Sequence, residues 1–212
     1  MCDDLTAAAE AAALKRRGLS RRQFAALGAA AAITACAEPG SAKGPALRES
    51  TVRITTPDGN ADAFFVHPSR GRHPGVILWP DVGGLRDAKK AMARQLAASG
   101  YAVLVPNQYY RGAMAPVLAS FSEWRTPAGQ AKLRPLIAQV TSEGVMRDAV
   151  AFAAFLDGQR AVDPRRKIGP QGYCMGGPFA VRTAAAVPGR VGAVASFHGG
   201  GLASDKPDSP HP

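Results

Sequence analysis

The run Gly172-Tyr173-Cys174-Met175-Gly176-Gly177 sets a thiol between glycines two residues before and two residues after it. A strand-like stretch precedes the run and a helix-like stretch follows it. This is the G-x-nucleophile-x-G pattern with cysteine in the place of serine. In such a turn the nucleophile sits on a sharp strand-to-helix corner at the top of a parallel sheet. Glycine relieves the crowding of that corner. The helix N-terminus behind the thiol favours the thiolate and can receive an oxyanion. The chemistry on offer is attack on a carbonyl with a covalent intermediate. A base is what the run lacks. Between Cys174 and Pro212 the chain carries only Asp205, Asp208, His198 and His211 as candidates. His211 lies in a short Pro- and Asp-rich tail and is not assigned as a base, and His198 reads as a structural histidine more readily than as a pocket residue.

The other residues of these types do not form sites. Cys2, Cys36 and Cys174 have no metal-ligand or disulfide spacing, and His67, His73, His198 and His211 are scattered. The reading therefore includes no metal and no organic cofactor. Without a C-x-x-C pair a thiol redox role is weak.

The elements that would position Cys174 follow from periodicity. Thr51–Thr55 and 61–66 are short strands around a Pro57-Asp58-Gly59-Asn60 turn. Gly75–Trp79 and 101–105 are continuous apolar runs, as in strands buried on both faces. Between them Asp87–Ser99 has helical spacing and ends at Gly100. This β-α-β order points to a parallel sheet with crossover helices. Residues 112–140 read as a short amphipathic helix bearing Met114, Val117, Leu118, Phe121 and Trp124, then a second over 132–140 interrupted by Pro135. The excursion is either a lid or a plain surface insertion. Ser142 is expected to cap a helix running to about Asp157. A strand over 167–173, with Pro170 at a bulge or at its start, leads into the turn. A helix over 178–186 and a last strand over 191–197 follow.

The 212 residues and 46% hydrophobic content suffice for one core, and the net charge is +10. Much of the N-terminal part of that charge is Lys15, Arg16, Arg17, Arg21 and Arg22. The remaining cations are scattered without an Arg-aromatic stripe, so a nucleic-acid partner is not expected. Ser20-Arg21-Arg22-Gln23-Phe24 followed by the alanine-rich run to Ala35 is a twin-arginine export pattern, too short to span a bilayer. Ile33-Thr34-Ala35-Cys36 is like a lipobox, which would put a lipid on Cys36; plain cleavage without lipid is the competing reading. Residues 1–36 are thus expected to be a signal peptide read by the twin-arginine translocase, 37–49 a tether, and 50–212 the folded domain. That places the protein in the periplasm or outside, with the membrane touched only through a lipid on Cys36.

Three segments in order carry a family resemblance over about residues 50–212: the Gly-Tyr-Cys-Met-Gly-Gly turn, Leu78-Trp79-Pro80-Asp81, and Asn107-Gln108-Tyr109-Tyr110-Arg111. Each falls at the C-terminal end of a strand, where open α/β sheets place ligands. The chain resembles the dienelactone hydrolase family of the α/β-hydrolase fold, in its twin-arginine-exported form. The resemblance implies hydrolysis of a small, anionic ester or lactone. It makes Cys174 the nucleophile, the backbone N–H groups of Met175 and Val82 the oxyanion donors, Asp81 a partner of the resting thiol, and Arg111 the ligand of a substrate carboxylate. The family's Asp and His lie beyond the sixth strand. The expectation is therefore a mostly parallel sheet flanked by helices, lacking the last strands and helices, in an apparently truncated chain. The second reading is a catalytically inactive fragment or a small-carboxylate-binding pseudoenzyme. Either way the strand at 191–197 is expected to carry an unpaired edge.

Overall fold

The computed structural model describes residues 44–203 and Ser209. The twin-arginine segment, Cys36, Asp205, Asp208 and His211 lie outside the described residues. The elements in chain order are β1 (Leu47–Thr56), β2 (Gly59–Pro68), β3 (Gly75–Trp79), α1 (Asp87–Ala98), β4 (Ala102–Pro106), a 3-10 turn (Phe121–Arg125), α2 (Pro127–Ala138), α3 (Ser142–Asp157), β5 (Gly169–Tyr173), α4 (Gly176–Ala186) and β6 (Ala195–Phe197). The strands form one six-stranded sheet in the order β1-β2-β4-β3-β5-β6. The hairpin β1–β2 and the pair β2–β4 are antiparallel. The pairs β3–β4, β3–β5 and β5–β6 are parallel.

The period of two along a strand divides the core. Ile77 and Trp79 of β3 and Ala102 and Leu104 of β4 join Phe152, Leu156, Phe179 and Ala180 on the face covered by α3 and α4. Val76, Leu78, Val103 and Val105 point the other way and pack with Ala93 and Ala97 of α1. A sheet covered on both faces needs apolar residues at every strand position, which is why β3 and β4 are unbroken apolar runs buried throughout.

Trp79 is fully buried and its indole N–H must find a partner. Its indole N–H donates to Thr183 Oγ1 at 2.9 Å, and that hydroxyl donates to the Phe179 carbonyl at 2.8 Å. The chain of bonds pins the end of β3 to α4. Thr183→Val is expected to strand a buried donor and lower stability by about 1–3 kcal/mol, read from the denaturation midpoint.

Several expectations are corrected. The β1–β2 hairpin is longer than the two apolar runs indicated. The helix over Met114–Trp124 does not form; only the 3-10 turn at Phe121–Arg125 does. The second helix starts earlier, at Pro127, with Thr126 accepting the Gly129 N–H. The cap of α3 is Thr141, whose hydroxyl accepts the Gly144 N–H at 3.0 Å, while Ser142 is the first helical residue. Pro170 sits inside β5 opposite Ile77. On the β6 side it falls between the Ile168–Val191 bridge and the start of the β5–β6 pairing at Gln171–Ala195. The last strand shrinks to three residues; Val194 just before it and Phe197 at its end are 40% and 44% exposed.

Candidate active site

Cys174 lies between β5 and α4 with φ 51°, a left-handed conformation that a non-glycine residue adopts only when its surroundings impose it. The surroundings are visible. The Cys174 N–H donates to the Phe197 carbonyl at 2.9 Å, and the Gly177 N–H donates to the Cys174 carbonyl at 3.0 Å. A Cβ at Gly172 would collide with the Gly176 carbonyl, and one at Gly176 would stand 2.5 Å from the carbonyl oxygens of Trp79 and Pro80. Both glycines are there because backbone crosses backbone at this corner. The thiol itself is partly exposed. It sits just ahead of the first turn of α4, whose N–H groups stabilise developing negative charge.

The second arm of the site is the turn after β3. Asp81-Val82-Gly83-Gly84 is closed by the Gly84 N–H donating to the Asp81 carbonyl at 2.9 Å. Val82 and Met175 both pack on a small cluster of Tyr109, Leu118 and Leu133. Leu118 and Leu133 come from the excursion between β4 and α3, so that segment lies over this arm. The Tyr109 hydroxyl donates to the Val82 carbonyl at 2.8 Å, and the hydroxyl oxygen lies 3.6 Å from the Met175 sulfur. Burial pushes the Tyr109 phenol well above its ordinary range, so it stays a donor. Among the described residues, no acceptor receives the backbone N–H of Val82 or of Met175. Both expected oxyanion donors are thus unspent.

Asp81 is placed differently from the expectation. Its carboxylate does not bond the thiol. It takes Arg86 in a two-pronged pair at 2.6 and 2.9 Å, Lys89 at 2.8 Å and the Gly83 N–H at 2.9 Å. Lys89 is 2% exposed and its ammonium lies 4.5 Å from the centre of the Tyr173 ring. Arg86 stacks over Phe121 at 5.0 Å. A carboxylate on the strand end with two buried cations beside it cannot turn to a third partner without unpairing one of them. Burial raises the Asp81 carboxyl, but the bonds from Arg86 and Lys89 outweigh it and hold the group below the usual carboxylate range. The stabilisation is therefore present above the unfolded carboxylate pKa and is lost as pH falls through the lower folded value. On acidification the melting temperature is expected to fall more steeply for wild type than for Asp81→Asn, measured by a thermal-melt series.

Arg111 is likewise occupied. Its guanidinium donates to Asp58 at 3.1 and 2.6 Å and to Asp148 at 2.9 and 2.8 Å, and lies 4.5 Å over the Tyr110 ring. Burial works against its charge, yet the bonds to Asp148 and Asp58 hold it more firmly protonated. Burial also lifts the Asp148 carboxyl despite Arg111 and Tyr110. A substrate carboxylate would have to displace one of these acids. The reading of the residues missed Asp148, although its position between Val145 and Ala149 on the buried face of α3 was a signal that it needed a cation.

His198 follows β6, is exposed and has φ 44°. No histidine or carboxylate bonds the Cys174 thiol among the described residues. Nor do the described residues hold a cluster of three or more metal-ligating side chains.

The protein-family model for the dienelactone hydrolase family matches residues 61–211. A carboxymethylenebutenolidase of Rhodococcus opacus is 26% identical over 129 residues, covering 60% of this chain and 45% of that protein. A relative in Methylorubrum extorquens is 28% identical over 127 residues, covering 59% and 40%. The match thus spans less than half the length of these curated relatives. Among solved structures, m3DLH superposes with a TM-score of 0.62 at 26% identity, covering 77% of this chain and 64% of that chain. A dienelactone hydrolase-like promiscuous phosphotriesterase from metagenomic libraries superposes with a TM-score of 0.60 at 24% identity, with the same two coverages, and supports the α/β-hydrolase fold.

Proposed function

The chain belongs to the dienelactone hydrolase family, and on that premise we propose that it cleaves a small lactone or carboxylic ester through Cys174. The thiolate attacks the carbonyl carbon. The tetrahedral oxyanion is received by the N–H groups of Met175 and Val82. Collapse breaks the acyl C–O bond, the alkoxide takes a proton, and a thioester remains on Cys174; in a lactone the alcohol stays tethered to the acyl group. Water then releases the carboxylic acid and restores the thiol. The observation that carries this reading is the forced left-handed Cys174 at the head of α4, together with the Met175 and Val82 N–H groups, which have no acceptor among the described residues. The ion pairs of Arg111 favour a structural role, so the reading assigns no preference for anionic substrates to it.

The test is a rapid-mixing experiment with p-nitrophenyl acetate and, separately, an aromatic δ-lactone. A burst equal to the Cys174 content, followed by steady turnover, supports the reading. The absence of any thiol-dependent burst overturns it. A burst with no turnover favours the second reading, an acylatable but inactive form, which the lack of a histidine on the thiol among the described residues supports.

For the N-terminal segment, we propose twin-arginine export with a lipid on Cys36. Cys36→Ala is expected to move the protein from the membrane fraction to the soluble fraction, as read by blotting; unchanged partition would refute the anchor.

A further inference from the structure

The turn after β3 is held from the neighbouring strand by Gln108, a residue of the Asn107–Arg111 segment to which the family resemblance gives no role. Gln108 follows the C-terminal end of β4 and is 2% exposed. Its side-chain N–H donates to the Asp81 carbonyl at 2.9 Å. Its own side-chain oxygen is buried and has no partner among the described residues. A buried acceptor left unpaired is costly and calls for an explanation, and the bond that the other end of the amide makes supplies it.

The Asp81 carbonyl and the Val82 N–H belong to one peptide plane, and in a trans peptide they point in opposite directions. Holding the carbonyl therefore aims the N–H. The next plane along is held too, because the Tyr109 hydroxyl donates to the Val82 carbonyl at 2.8 Å. Tyr109 is 1% exposed. Two consecutive residues of the β4 end thus fix two consecutive peptide planes of the turn after β3. Resting on the nucleophile reading above, we infer that Gln108 and Tyr109 are positioning residues that hold the Val82 N–H in place to receive the oxyanion formed at Cys174.

A role in positioning differs from a role in folding by what it leaves intact. Alkylation of Cys174 by iodoacetamide is a displacement at carbon with no oxyanion, whereas acylation by p-nitrophenyl acetate passes through one. The experiment compares both rates in the full chain for wild type, Gln108→Met and Tyr109→Phe, together with amide hydrogen exchange of Gly84, whose N–H shares the Asp81 carbonyl with Gln108. The expected result is an acylation rate lower by about tenfold to 100-fold in either variant, an unchanged alkylation rate, and faster Gly84 exchange in Gln108→Met. Equal acylation rates in wild type and both variants overturn the inference, and so does a Gly84 exchange rate that Gln108→Met leaves unmoved. If wild-type Cys174 is alkylated but never acylated, the hydrolase reading fails by itself, and Gly84 exchange still decides whether Gln108 holds the turn.

Discussion

Cys174→Ala is expected to lower ester cleavage by several orders of magnitude, because removal of a nucleophile in comparable sites costs up to about 10⁶ in rate. The effect is large for a structural reason. The corner holds its residue at φ 51°, between the end of β5 and the first turn of α4, and no neighbouring side chain can be moved onto that spot without rebuilding the crossing of Gly172 and Gly176. Alanine fits the same backbone as cysteine, so the fold is expected to survive and the loss to be one of chemistry. Circular dichroism and the melting temperature should stay within the scatter of wild type while the p-nitrophenyl acetate burst disappears. Residual thiol-independent cleavage at more than about a hundredth of the wild-type rate would show that another group does the work.

Asp81→Ala is expected to destabilise the fold by about 3–5 kcal/mol, since it leaves two cations buried without a counter-charge. Arg86 and Lys89 have side-chain exposures of only 10% and 2%. Neither can swing into water while α1 keeps its seat on the sheet. Asp81→Asn keeps an acceptor for the Gly83 N–H and is expected to cost less. Replacing both cations with methionine in the Asp81→Ala background should recover much of the loss, because an apolar cluster of similar volume no longer carries buried charge. Denaturant midpoints of the three variants measure this. A wild-type midpoint for Asp81→Ala would mean that the carboxylate does not hold the turn.

The parts of this fold that depend on a regular period were legible in the residues. Gly75–Trp79 and the run ending at Val105 read as strands because burial on both faces demands an unbroken apolar stretch, and the glycines around Cys174 read as a corner because backbone crowding demands them. The elements that failed to follow the pattern are those decided by tertiary contacts. Met114 to Trp124 have helical spacing, yet Leu118 turns in to Tyr109 instead of lying on a helix face. Pro170 reads as a bulge or the start of a strand, and only the pairing across the sheet shows that it lies inside β5. The site divides in the same way. The corner at Cys174 was legible from local spacing, whereas the roles of Met175 and Val82 came only with the family resemblance. The partners of Asp81 and Arg111 were not, because they are decided across the sheet: Lys89 reaches back to the end of β3 from α1, and Asp58 and Asp148 reach Arg111 from a hairpin turn and from α3. Gln108 lay within the Asn107–Arg111 segment, but its contact was not legible there, since it is a single bond to a neighbouring backbone carbonyl.

The measurement that bears most directly on the account is the identity of the acylated residue. The full-length protein would be mixed with p-nitrophenyl acetate, quenched in acid within the burst, and digested for peptide mass mapping. The account predicts one acetyl group per chain, on the peptide that contains Cys174, labile to neutral hydroxylamine as a thioester is. An acetyl group on Cys36 or on lysines, with Cys174 unmodified, would contradict it.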